Sequence, residues 1–196
     1  MSKLTRYLPV LGATAALGIG GAGANALAGT DHHGTRAAGQ AQTEHHYSAW
    51  DKQWLQTSIE GDLFEIAGGQ MAQRHASSQA VKDYGARLIA DHTESLKEAT
   101  ALAQETGIPV PKAATPEQQA LLELLDRFTG TEFDKLYADV EAKDHQQDIS
   151  EAKDEVSDGS NGDFRKAAAK ELPTLQEHLK IAEHLGGRPA TEPLPD

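Results

Sequence analysis

Residues 81–111 read VKDYGARLIADHTESLKEATALAQETGIPVP. Val81, Tyr84, Leu88, His92, Leu96, Ala99 and Leu102 recur at three- and four-residue spacing, the repeat of one face of an α-helix. Ser77 or Ser78 is placed to cap the start of this helix and Gly107 to end it after Thr106, while Pro109 and Pro111 forbid immediate continuation. A polar residue, His92, sits in the middle of the apolar stripe.

The same period extends to both sides. Upstream, a helix is expected from about Asp51 to Ala76, with Ser48 as N-cap and Leu55, Ile59, Leu63, Ile66 and Met71 as an approximate stripe. Downstream, Thr115-Pro116-Glu117-Gln118 is a start signal with a capping-box glutamine, opening a short helix that ends near Gly130. Thr131 is then placed to cap a longer helix from Glu132 to Val156. The last helix spans about Asp163 to Leu185, with Pro173 expected to kink it or displace one hydrogen bond. Four long helices of roughly 33 to 43 Å at 1.5 Å per residue predict an all-α, ferritin-like four-helix bundle. The short helix lies in the connection between the second and third long ones, a segment long enough to cross the bundle.

Three histidines and one glutamate fall on the inner faces. His92 lies four residues from both Leu88 and Leu96; His145 shares a row with Tyr137, Glu141 and Ile149; His178 follows Leu175 and precedes Ala182. On the first helix, Ser58, Gly61, Glu65, Gly68 and Ala72 form a row of small residues around one acid, suited to close approach of a neighbouring helix. Counting from the turns places Glu65, His92, His145 and His178 at similar depth, one per helix. Neutral imidazoles and a carboxylate converging at mid-bundle suit Zn, Fe, Mn or another first-row transition metal, with Glu141 or Asp62 as further acids one turn away. The same residues also suit a metal-free, hydrogen-bonded polar core that fixes helix register. Asp91, Asp144 and Glu177 precede the three histidines by one residue, about 100° round the helix, and cannot easily chelate with them.

Length and composition set the frame. The 196-residue chain opens with Lys3 and Arg6, an apolar run from Leu8 to Ile19 and the small-residue end Ala26-Leu27-Ala28. Residues 1–28 therefore read as a cleavable secretory signal, and Pro9 with several glycines disfavours an uncleaved anchor. By composition, residues 29–47 are expected to be a flexible leader containing Asp31-His32-His33 and Glu44-His45-His46, residues 48–186 the bundle, and residues 187–196 a disordered tail. A periplasmic or secreted location is expected from that signal. With no Cys there are no disulfides. The formal charge of −12 disfavours nucleic acid and anionic membrane surfaces as partners, and no stable membrane insertion of the mature chain is expected. Phosphate-binding loops, H-E-x-x-H and G-x-S-x-G are all missing, which removes conventional nucleotide-binding and hydrolase readings.

Three runs carry a family resemblance: GDLFEIAGGQMAQRHASSQAVKDYGARLIADHTESL at 61–96, FDKLYADVEAKDHQQDISEA at 133–152 and LPTLQEHLKIAEHL at 172–185. The chain resembles the bacterial domain-of-unknown-function family 4142, exported helical proteins of the ferritin-like group. The resemblance implies a ferritin-like bundle and export, with Glu65, His92, His145 and His178 at recurrent positions, and supplies no activity. Ferritin-like di-iron centres use Glu-x-x-His pairs. Ile89, Ala142 and Leu175 stand three residues before the histidines here, so ferroxidase or oxygenase chemistry does not carry over.

Three functions are compatible with the sequence: a non-catalytic periplasmic bundle serving envelope stress or binding an envelope protein, a metal-binding or metal-dependent redox protein, and a homo-oligomerising scaffold. The last would use Trp50 and Trp54, four residues apart, as an exposed stripe; the same pair would serve as a hydrophobic staple at the bundle end.

Overall fold

The computed structural model of the protein describes residues 46–187; the expected signal, most of the leader and nearly all of the tail lie outside them. Five helices follow in order: α1 (Ala49–His75), α2 (Gln79–Thr106), α3 (Pro116–Leu125), α4 (Gly130–Asp158) and α5 (Gly162–Leu185). The four long ones form an all-α, ferritin-like four-helix bundle with α3 in the connection between α2 and α4. Each of the pairs α1/α2 and α4/α5 is a tightly packed hairpin, and the hairpins meet along α1/α4 and α2/α5.

Hydrogen bonds at the ends define the directions. At one end Asp51 of α1 accepts from Ser160 N at 2.7 Å and from the Ser160 hydroxyl, joining the start of α1 to the α4–α5 turn. At the other, Asp134 at the start of α4 accepts from Ser77 N at 3.0 Å and Ser78 N at 2.9 Å, beside the end of α1. Helices α1 and α4 are thus antiparallel and α2 and α4 parallel, so the chain must travel the bundle's length between them. It does so along α1, from Pro109, whose carbonyl accepts from Gln56, to Phe128, whose carbonyl bonds His75 Nδ1. Those contacts are nineteen α1 residues apart, about 28 Å at 1.5 Å per residue.

Local chemistry explains the boundaries. Ser48 and Asp51 form a capping box at α1, and Thr115 and Gln118 one at α3. Gly107, at φ 71°, ends α2 in the left-handed conformation that glycine adopts most freely. Three expectations need correction. Neither Ser77 nor Ser78 caps α2 with its side chain, because the Ser77 hydroxyl instead donates to Asp134 and that carboxylate takes both amides. Helix α3 ends at Leu125, well before Gly130. Helix α4 begins at Gly130, not after a Thr131 cap; Gly130 has φ 67° and Thr129 occupies the N-cap position. Helix α5 runs unbroken through Pro173. The missing amide frees the carbonyl of Ala169, which is exposed, so solvent can satisfy it.

The apolar core is divided in two. One cluster contains Phe64, Tyr84, Leu88, Phe133 and Tyr137, the other Trp54, Leu55, Ile59, Ile149, Phe164 and Leu175. On α1, Leu63, Ile66 and Met71 are only half-buried, and the fully enclosed side is Trp54, Leu55, Ile59, Phe64 and Ala72 with Gly68 and Gly69. The shift follows from close helix contact: a Cβ on Gly69 would lie 2.6 Å from the Gly85 carbonyl oxygen of α2. Trp54 is 5% exposed against Phe164 while Trp50 is 46% exposed, so the two do not make one exposed stripe. No helix among the described residues is long and apolar enough to cross a membrane.

Candidate functional site

Between the two apolar clusters lies a polar layer. Glu65 on α1, His92 on α2, His145 on α4 and His178 on α5 are all buried and meet there. The ring centroids of His92, His145 and His178 are 5.9, 5.3 and 5.2 Å apart pairwise, and one nitrogen from each lies within 4.8 Å of the others. Glu65 faces two of the rings: its Oε2 pairs with His92 Nε2 and its Oε1 is 3.1 Å from His145 Nε2.

The two nitrogens of each ring have different environments. His92 Nδ1 is 2.8 Å from Asp62 Oδ1, His145 Nδ1 is 2.9 Å from the Glu141 carbonyl, and His178 Nε2 is 2.8 Å from Asp91 Oδ2. The opposite nitrogens, His92 Nε2, His145 Nε2 and His178 Nδ1, are buried and lack a partner in hydrogen-bond geometry, as do both Glu65 oxygens despite their closeness to two imidazoles. Outer N–H groups held by acceptors fix the ring orientations and turn the opposite nitrogens inward, as outer-sphere partners do around ligating histidines. Tetrahedral Zn–N bonds of about 2.0 Å would need ligand nitrogens about 3.3 Å apart, within reach of modest side-chain movement.

The charge state is uneven. Burial opposes ionisation of Glu65, yet the imidazoles of His145 and His92 outweigh it and hold its pKa at about 2. Burial likewise disfavours a charged His92, but Glu65 and Asp62 on either side raise its pKa well above the usual imidazole value. Burial lowers His145, and burial together with His145 lowers His178 to about 4. Without a metal, the layer is therefore a Glu65 carboxylate and a His92 imidazolium beside two neutral imidazoles. Burial, with Glu65 and Asp144 adding, pushes the Glu141 carboxyl well above its usual range. Burial also raises Asp62, to about 6, against the pull of His92.

The four residues singled out in the sequence are thus brought together. Asp62 and Glu141 serve the layer by holding His92 and His145, and the Glu141 carboxylate also groups with Glu65 and His145. Asp91, set aside because it cannot join its own His92, holds His178 on the neighbouring helix; its 100° offset from His92 turns it toward α5. Gly68 behaves as the small-residue row suggests, since a Cβ there would lie 3.2 Å from Glu141 Oε1 and 3.3 Å from a Tyr137 ring carbon. Ser58 and Gly61 do not. A Cβ on Gly61 would meet nothing within 4 Å, because both residues line a cleft of about 230 Å³ that reaches Glu65 and His92. Asp148 and Glu171 also line it, and the Lys170–Glu98 ion pair, 2.5 Å, lies along it. The leader motif Asp31-His32-His33 lies outside the described residues, and His75 fastens the crossover rather than joining the layer.

Among solved structures the fold is similar to a DUF305 fragment from Deinococcus radiodurans, with a TM-score of 0.64 and 11% sequence identity over 72% of this chain and 97% of that one. At that identity the likeness concerns the fold alone. No curated protein matches the sequence significantly. The sequence model of the family described as a domain of unknown function, DUF4142, matches residues 36–185, and with its ferritin-like bundle the chain belongs to that family.

Proposed function

We propose that the protein is an exported metal-binding bundle in which Glu65, His92, His145 and His178 hold one transition-metal ion. The observation that carries this reading is the sidedness of the three imidazoles: every outer nitrogen has an acceptor, and the inner ones are buried facing one another, two of them against the Glu65 carboxylate and the third, His178 Nδ1, without a partner. Leaving a buried nitrogen such as His178 Nδ1 unsatisfied costs about 1–3 kcal/mol, and a cation shared by the three imidazoles and Glu65 would offset it. A nitrogen-rich set with one carboxylate suits Zn, Fe, Mn or Cu. When bound, the ion would supply a Lewis-acid or redox centre; the chain supplies alignment through Asp62, Asp91 and the Glu141 carbonyl, and access through the cleft. Export rests on the charged and apolar pattern of residues 1–28, and the acidic balance is consistent with cation rather than nucleic-acid binding.

A second reading has its own support. The Glu65–His92–Asp62 chain is a buried network of two carboxylates on one imidazolium, able to hold helix register without metal in a non-catalytic envelope protein. Elemental analysis of untagged mature protein separates the two. Near-stoichiometric metal, lost in the His92→Gln/His145→Gln double variant with helicity retained, supports the metal centre. No metal after incubation with Zn, Fe, Mn and Cu salts refutes it and leaves the polar core.

A further inference from the structure

A second group of oxygens lies beside Glu65. Asp144 and Asp148 are one turn apart on α4, and one oxygen from each lies with a Glu65 oxygen within 4.8 Å of the others. Like charges at this helical spacing repel, and a fully buried carboxylate from another helix adds to the repulsion. Among the described residues, neither aspartate forms an ion pair with a Lys or Arg. Acidic residues alone would be unremarkable in a chain of this charge. Here, however, the Glu65 carboxylate, 1% exposed and set against His92 and His145, also lies beside Asp144, whose Oδ2 is buried and has no hydrogen-bond partner. Asp148 lines the cleft, which gives a hydrated ion a way in and leaves room for its remaining waters.

We propose that Glu65, Asp144 and Asp148 form a second cation site, made only of oxygens and selective for a hard divalent ion such as Mn²⁺. Its ligand chemistry differs from that of the imidazole cluster. Carboxylates with water favour Mg²⁺, Ca²⁺ and Mn²⁺, whereas imidazoles favour Zn²⁺ and Cu²⁺. The site shares Glu65 with the imidazole cluster but does not require that cluster to be filled.

The test is Mn²⁺ binding to chelator-stripped, full-length mature protein, followed by electron paramagnetic resonance with detection of nitrogen coupling. A His145→Gln/His178→Gln variant should still bind one Mn²⁺ without nitrogen coupling. Asp144→Asn/Asp148→Asn should weaken that binding at least tenfold while leaving Zn²⁺ binding at the imidazoles within threefold. The single Asp148→Asn variant, altered at a half-buried position, gives the same reading if the double variant loses helicity. Mn²⁺ that couples to nitrogen and disappears in the histidine variant overturns the proposal. So does weak multi-site binding that the aspartate variants do not change, and so does no binding at millimolar Mn²⁺. Zn²⁺ binding in the same samples reports the imidazole centre separately.

Discussion

Two glycines in one helix should respond in opposite directions to the same substitution. A Cβ on Gly69 would stand 2.6 Å from the Gly85 carbonyl oxygen and 2.8 Å from Ile89 Cγ1. The oxygen belongs to α2 backbone, so the helices must part by several tenths of an ångström along a seam that also has Gly85 against Ala72. Overpacking of this kind costs about 1–3 kcal/mol, while replacing a helical glycine by alanine returns about 0.5–1 kcal/mol. Gly69→Ala should therefore lose about 1–2 kcal/mol. Gly61, eight residues earlier, faces open space in the cleft, so Gly61→Ala should gain about 0.5–1 kcal/mol from helix propensity alone. The variants should differ by about 2 kcal/mol, or roughly 6 °C in Tm for a domain of this size. Urea unfolding followed by circular dichroism, with chelator present so that metal does not contribute, measures the difference. Gly69→Ala as stable as wild type, or Gly61→Ala less stable, would refute the packing account.

Three further outcomes follow from the site and the bundle end. Because His92 is protonated between Asp62 and Glu65, a metal must displace its Nε2 proton. Zn²⁺ affinity should rise by up to tenfold per pH unit below the His92 pKa, with about one proton released; calorimetry in buffers of different ionisation heat would show no buffer dependence if this is wrong. Asp91→Ala removes the acceptor that orients His178 from a half-buried helix position. It should weaken metal binding by about 10–100-fold with unchanged helicity, and equal affinity in a chelator competition would count against the alignment role. At the bundle end, burial and the neighbouring Asp51 raise Glu155 to about 8. The folded state therefore holds a proton that the unfolded chain releases above about pH 4.3, and stability should fall as pH rises from there to about 8. Asp51 acts in the opposite sense: burial opposes its ionisation, but hydrogen bonds from Ser160 and Ser48 hold it well below the usual range. Its contribution is lost only in stronger acid. Glu155→Gln should flatten the profile between pH 5 and 8, and denaturation midpoints with an unchanged slope would exclude this source.

Helix count and the four inward polar residues were legible because both depend on a period of 3.6. His92, His145 and His178 stand in rows of apolar neighbours, and the capping boxes at Ser48 and Thr115 are local signals. What the sequence concealed was lateral. Period alone cannot say which helix lies beside which, so the service of Asp91 to His178 required the α2/α5 adjacency. The cleft was hidden for a similar reason: Gly61 and Gly68 look equivalent on one row, yet one faces a gap and the other the Tyr137 ring. Asp134 capping α2 from α4 is another long-range substitution for a local rule. Asp144, about 100° round α4 from His145, and Asp148 one turn on come beside Glu65 only through the α1/α4 adjacency.

The long crossover has a consequence for assembly. It makes the chain two hairpins, each of which forms from near neighbours in sequence, with Glu65 and His92 on the first and His145 and His178 on the second. Neither half carries a complete ligand set. Contacts within each hairpin close shorter loops than those between the hairpins, and an ion bridging the halves would act on their docking, slowing separation of the hairpins more than the fraying of either one. Metal supply would then govern how long the folded protein persists as well as what chemistry it can host.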